Sequence, residues 1–224
     1  MGWSELIRTV QVEPSLYAAD LARLGAQVEE LLDAGARVFH FDVGDGHFVE
    51  PITMGPVVLQ AISGLVHERG GVLDCHLMVD NPDRHIAQIA RAGGDGVTFH
   101  AEVTDDPGAL ISFAHEHGLQ AGVAFKPDTA VEDAARAAEG ADLALCMSID
   151  PGYSGQAFMP SSLDRIARLR QLRPGKPIQV DGGIGPENVR AVREAGATLL
   201  VAGSAVFGGE DIQEAYRRLA QLSE

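Results

Sequence analysis

The chain has 224 residues, 46% of them hydrophobic, enough to bury a sizeable core in one or two domains. Lysine and arginine total 17 against 32 aspartates and glutamates, a formal net charge of -15. That acidity argues against DNA, RNA and anionic membrane surfaces as partners, all of which need a basic footprint.

The opening Met1-Gly2-Trp3-Ser4-Glu5-Leu6 lacks the basic and apolar regions of a secretory signal. Leu6 stands where a myristoylation motif needs Ser or Thr. No apolar run approaches the ~20 residues that cross a bilayer. These features predict a cytoplasmic protein. Cys75 and Cys146 fall in apolar runs without CxxC spacing, so they read as buried reduced thiols.

Along the chain, 9–15 (TVQVEPS) predicts a first strand ending at Ser15, and 18–33 predicts a helix stopped at Ala34-Gly35. The second strand, 37–43 (RVFHFDV), carries His40 and Asp42, and the third, 72–78 (VLDCHLM), carries Asp74, His76 and Met78. The fourth, 96–100, ends in His100, and the fifth covers 120–125. The sixth, 143–149 (LALCMSI), carries Met147 and Ser148 and precedes a helix over 161–172. The seventh, 177–181 (PIQVD), ends in Asp181. A helix over 186–195 follows, with Pro186 in its first turn and Gly196 as its stop. The eighth, 198–203, runs into Gly203-Ser204.

Strict strand–helix alternation without a linker predicts a parallel sheet in a single domain over 1–224, closed as a (β/α)8 TIM barrel. An open doubly wound sheet is the competitor. Its dinucleotide-binding form would need GxGxxG after the first strand, where this chain has Ser15-Leu16-Tyr17-Ala18-Ala19-Asp20.

Barrel chemistry belongs at the C-terminal ends of the strands. Side chains two apart share a face, so His40 aligns with Asp42 and His76 with Met78. Phe39, Phe41, Cys75 and Leu77 then face the helices. His40, Asp42, His76 and Asp181 can converge at one end of the barrel. Two imidazoles and two carboxylates suit zinc, or iron, manganese or cobalt. A buried histidine is also ordinarily a hydrogen-bonded core residue, and a carboxylate at a strand end ordinarily caps the next helix. The pattern alone leaves both readings open.

Three glycine-bearing loops form a second constellation: Gly152-Tyr153-Ser154-Gly155 after the sixth strand, Gly182-Gly183 after the seventh, and Gly203-Ser204 after the eighth. Their backbone N–H groups could cradle a phosphate, or the loops could simply be tight turns. Residue 156 is Gln, so the first of them is not a GxSxG serine-hydrolase elbow. Asp45 and His47 follow the second strand and could form a turn or reach the site. His67, His85, His115 and His117 lie on helical stretches and read as solvent-facing.

With these residues in view, the chain resembles the ribulose-phosphate 3-epimerase family over nearly its whole length. The resemblance is carried by Pro14-Ser15-Leu16, His40-Phe41-Asp42-Val43, Asp45-Gly46-His47-Phe48, Asp74-Cys75-His76-Leu77-Met78, Thr98-Phe99-His100, the 151–156 loop, Val180-Asp181-Gly182-Gly183 and Ala202-Gly203-Ser204. It implies one divalent metal ion, zinc first, on His40, Asp42, His76 and Asp181. It implies Asp42 and Asp181 as the acid–base pair that inverts C3 of D-ribulose 5-phosphate through a metal-stabilised enediolate. It implies substrate contacts from Ser15, His76, Met78 and Met147, and phosphate contacts from Gly152, Tyr153, Ser154, Gly155, Gly182, Gly183, Gly203 and Ser204. It also implies a homo-oligomer acting on a small ketose phosphate. One departure stands out. Gly44 occupies a place where the family usually has Met, a change expected to enlarge or reshape the sugar site, with allulose 6-phosphate as the alternative substrate. A decarboxylase or aldolase would want a lysine near the early strands, and Lys126 is the sole lysine near a strand end before Lys176. A non-catalytic sugar-phosphate-binding barrel is the remaining alternative.

Overall fold

A computed structural model describes residues 3–224, in which eight strands and their intervening helices alternate along the chain. After a short α1 (Trp3–Leu6), β1 (Gln11–Pro14) leads to α2 (Leu24–Ala34), and β2 (Val38–Gly44) to α3 (Pro56–Glu68). Next come β3 (Val72–Met78) and α4 (Asp83–Ala92), β4 (Gly96–His100) and α5 (Pro107–Glu116), and β5 (Gln120–Phe125) and α6 (Val131–Ala137). The chain ends with β6 (Leu143–Met147), α7 (Ser162–Leu172), β7 (Ile178–Asp181), α8 (Val189–Glu194), β8 (Leu199–Ala202), α9 (Ser204–Phe207) and α10 (Ile212–Leu222).

All eight strands are parallel in one sheet, ordered β1-β8-β7-β6-β5-β4-β3-β2. A parallel bridge between Ser15 and His40 brings the two edges together, so the sheet is a nearly closed barrel. Helix ends follow local chemistry. Asp106 accepts the Ala109 N–H ahead of Pro107, and Asp211 accepts the Glu214 N–H. Gly35 and Gly93 take the left-handed conformation that terminates α2 and α4.

Two helix boundaries differ from expectation. The helix expected from 18 starts at Leu24, because Asp20 accepts the Ala22 N–H and donates its own N–H to Gln27. Residues 16–18 and 21–23 form short 3-10 turns instead. Regular helix after β7 starts at Val189, although the Val189 N–H donates to Gly185 and so keeps Pro186 in a first helical turn.

The core is layered. Outside the sheet, Phe39, Phe41, Cys75, Leu77 and Phe99 pack against Leu31, Leu59, Ile86 and Ile89 of the helices. Inside its lower end, Val38, Val72, Leu143, Leu145 and Leu199 pack with Leu6 and Ile7 of the N-terminal segment. Above this apolar plug lies a wholly buried polar layer of Glu13, His40, Asp74, His76, Thr98 and Gln179. Burying such groups costs several kcal/mol unless they are paired, so this layer demands a chemical explanation. No described helix is long and apolar enough to cross a membrane.

Candidate metal centre and catalytic cleft

Strand register assembles the site. β2 and β3 pair so that His40 lies beside Asp74, Asp42 beside His76, and Gly44 beside Met78. On the other side of the barrel, Asp181 pairs with Met147. Period-two alternation turns His40, Asp42, His76 and Asp181 inward at the same end of the barrel.

Their atoms converge. His40 Nε2 and His76 Nδ1 lie 3.2 and 3.3 Å from Asp42 Oδ1. The same two nitrogens lie 3.9 and 3.7 Å from Asp181 Oδ2. Ligands held tetrahedrally by a zinc-sized cation stand roughly 3.3 Å apart. His40 Nε2 is buried with no hydrogen-bond partner, aimed into this group. The four residues can therefore hold a divalent cation, and the donor set fits one.

The electrostatics are those of a crowded acidic pocket. Burial alone would raise the Asp42 carboxyl, but His40 and His76 hold it well below the usual carboxylate range. Burial raises Asp181 to about 6, with His40 opposing and Asp42 reinforcing the shift. Burial would lower His40, yet Asp42, Asp74 and Glu13 push it well above the ordinary imidazole value. Below it, Glu13 is raised to about 7 by burial, against the hydrogen bond from His40. Burial also depresses His100 to about 4.

A cleft opens over Asp42 and Asp181. Ser15, Met78, Met147, Gly152, Tyr153, Ser154, Gly155, Gly182, Gly183, Gly203 and Ser204 line it. Ser15 Oγ donates to Asp42 Oδ2 at 2.7 Å. The loop glycines are structurally required: Gly182 and Gly183 have φ of 122° and 65°, and a Cβ on Gly183 would meet the Phe158 backbone at 2.4 Å. At the rim, Tyr153 Oη donates to Glu50 Oε2 at 3.1 Å, joining the loops after β6 and β2.

A sequence model of the ribulose-phosphate 3 epimerase family matches residues 11–207. The chain belongs to this family. It is 38% identical over 216 residues to the ribulose-phosphate 3-epimerase of Candida glabrata, covering 91% of this chain and 88% of that one. It is 39% identical to the enzyme of Bacillus subtilis, covering 92% and 96%. Among solved structures, 3-hexulose-6-phosphate synthase from Salmonella typhimurium superposes with a TM-score of 0.74 at 20% identity, covering 96% and 98%. That likeness is one of fold alone.

Membership of an epimerase family accords with a cleft built from the residues that the sequence singled out. His40 and His76 lie just beneath it, fully buried. One expectation needs correction. The space beside Gly44 is filled rather than open: a Cβ there would meet Pro51 O at 2.8 Å and Val49 Cγ2 at 3.0 Å, because the 49–53 segment folds back over it. Thr53 pins that segment, accepting the Gly44 N–H and donating to Asp42 O. Asp45 makes a turn rather than a site contact, accepting the His47, Phe48 and Asp80 N–H groups. Lys126 sits over the Phe48 ring, outside the cleft lining, which removes the lysine chemistry considered for it. His67 and His115 are exposed and paired with Asp95 and Asp142.

Sequence reasoning missed the polar floor. Gln179 Nε2 donates to both Glu13 Oε2 and Asp74 Oδ2 at 2.5 Å, and His40 Nδ1 lies 3.2 Å from Asp74 Oδ2. The signal was available. Glu13, Asp74 and Gln179 each stand two residues before Ser15, His76 and Asp181, on the same inward face.

Proposed function

We propose that this protein inverts C3 of D-ribulose 5-phosphate to give D-xylulose 5-phosphate, using one bound divalent cation, zinc first among candidates. The observation that carries the reading is the convergence of His40 Nε2, His76 Nδ1, Asp42 Oδ1 and Asp181 Oδ2 at ligand spacing on the floor of a cleft. His40, Asp42, His76 and Asp181 would hold that cation, which would supply Lewis-acid stabilisation of the negative charge developing on the substrate oxygens.

The chain's own groups do the rest. One of Asp42 and Asp181 removes the C3 proton, leaving an enediolate. The other enters the step protonated and gives its proton to the opposite face, so the pair ends with its protonation states exchanged, and microscopic reversibility exchanges their parts in the reverse direction. Ser15 holds one oxygen of Asp42 and leaves the other facing the imidazoles. Met78 and Met147 are buried walls that keep water from the carbanionic intermediate. Backbone N–H groups of Gly152 to Gly155, Gly182, Gly183, Gly203 and Ser204 receive the phosphate. The names of the relatives at 38% and 39% identity, both ribulose-phosphate 3-epimerases, favour the pentulose over a hexulose phosphate.

The test is incubation of metal-analysed protein with D-ribulose 5-phosphate in D2O, followed by NMR at C3. Conversion to xylulose 5-phosphate with deuterium at C3, lost on chelation and regained with zinc, is expected. Metal-loaded protein that leaves the pentulose untouched but turns over a hexulose phosphate overturns the substrate assignment. Chelator-resistant turnover overturns the metal assignment.

A further inference from the structure

The His76 imidazole has a second nitrogen that the proposed chemistry does not use. Its Nδ1 faces Asp42 and Asp181. Its Nε2 points the other way and lies 2.9 Å from Nε2 of His100. Both rings are fully buried, with centroids 5.0 Å apart and planes 27° from parallel, so they meet edge to edge through these two nitrogens. His100 Nδ1 lies 3.2 Å from Glu102 Oε2. The other Glu102 oxygen accepts the Lys126 N–H at 2.8 Å and the Thr129 hydroxyl. A continuous line of polar contacts thus runs from the proposed ligand nitrogen to a carboxylate whose side chain is 24% exposed.

Hydrogen counting gives this line a direction. Two imidazole nitrogens at 2.9 Å repel unless one carries the hydrogen and the other a lone pair. A carboxylate only accepts, so the nitrogen that His100 turns to Glu102 carries a hydrogen. A neutral His100 then offers a lone pair at Nε2, and His76 must donate from its own Nε2. The lone pair of His76 is left on Nδ1, pointing at Asp42 and Asp181. The reverse arrangement would put the lone pair of His76 away from the other three ligand atoms.

We infer that His100 and Glu102 are positioning residues that fix His76 in the tautomer able to ligate through Nδ1. The inference rests on the reading of His40, Asp42, His76 and Asp181 as metal ligands. Outer partners of this kind orient a ligating imidazole and raise its basicity. Packing alone does not explain the arrangement. His100 also touches Phe48, with ring centroids 4.7 Å apart, and a phenyl ring at position 100 would serve that contact equally well.

Two measurements test the inference. In 15N-labelled unmutated protein, a scalar coupling across the His76 Nε2–H···Nε2 His100 bond is expected, with the proton on His76. A proton found on His100 Nε2 overturns the inference. Zinc affinity is then measured by chelator competition. His100→Phe keeps a buried ring against Phe48 but removes both nitrogens, and should weaken zinc binding about 10- to 100-fold. His100→Gln, whose oxygen can accept from His76 and whose amide can donate to Glu102, should return it close to the unmutated value. Unchanged affinity in His100→Phe, where the unmutated protein binds one zinc, overturns the inference and leaves the metal reading intact. Unmutated protein that binds no zinc fails the metal reading itself, and the inference falls with it.

Discussion

Ser15 Oγ donates to Asp42 Oδ2 at 2.7 Å, while Asp42 Oδ1 faces His40 Nε2 and His76 Nδ1. The two oxygens of one carboxylate therefore have separate partners. A hydrogen bond to a charged acceptor contributes about 1.5–3 kcal/mol. Ser15→Ala should lower kcat/KM by about 10- to 100-fold, since each 1.36 kcal/mol is about tenfold. Bound zinc should stay near one per chain, because Oδ1 is untouched. Metal analysis and steady-state kinetics on the same preparation check this. Loss of metal along with activity would mean that Ser15 serves the ligand set rather than the proton transfer.

The acid–base pair should come apart in a directional way. Asp42→Asn and Asp181→Asn should each lower epimerisation by about 100- to 10,000-fold, the range of positioned acid–base catalysis. A protein left with one working carboxylate can still exchange the C3 proton on that carboxylate's face. In D2O, each variant should incorporate deuterium into one C3 epimer much faster than it forms the other. Equal loss of exchange from both epimers in both variants would show that the carboxylates serve only to hold metal.

Stability should depend on metal and pH together. In the metal-free protein, burial raises Asp181 to about 6 and Glu13 to about 7, and the carboxylates around His40 raise it as well. Groups raised in the fold contribute stability that is full below their unfolded pKa values and lost as pH rises through the folded ones. A cation needs neutral His40 and binds an ionised Asp181 more strongly than a protonated one, so protons compete with it. The gap between zinc-loaded and chelator-treated melting temperatures should widen from pH 5.5 to 7.5. The underlying gain is about 1.4 kcal/mol per pH unit for each proton displaced. A constant gap would mean that these groups do not bind the ion.

Much of this site can be read from strand periodicity. His40, Asp42, His76 and Asp181 are inward-facing polar residues near strand ends, and alternation brings them together without long-range information. Glu13 and Gln179 follow the same rule, but each looks like ordinary alternation on a half-exposed strand, because nothing local says that both faces are buried. The Gly44 misreading has another cause. What fills that space is Pro51 and Val49 folding back, held by Thr53, and a chain reversal of that kind leaves no periodic trace. The helix expected from 18 failed for a local reason, the Asp20 side chain capping its own turn.

Gly44 itself makes a sharp case. A Cβ there would meet a backbone carbonyl at 2.8 Å, which no rotamer change relieves. Gly44→Met should destabilise the fold by about 1–3 kcal/mol, as overpacking does. It should also disturb the strand that carries Asp42 and lower activity on pentulose and hexulose phosphates alike. Denaturant melts and paired rate measurements check this. A stable Gly44→Met protein with an altered ratio of the two rates would restore Gly44 as a specificity position.

Gln179 is the hinge of the buried floor. Its amide nitrogen is the shared donor between Glu13 and Asp74, and each of those carboxyls has a second oxygen without a partner. Gln179→Leu removes the donor and leaves two buried acceptors facing each other. An unsatisfied buried group costs about 1–3 kcal/mol, so the variant should lose about 2–4 kcal/mol in urea unfolding. Adding Glu13→Leu should recover part of that loss, because removing both partners of a buried hydrogen bond is far less harmful than removing one. Strictly additive losses in the double variant would mean that Gln179 and Glu13 act independently, and that the floor is packed rather than wired.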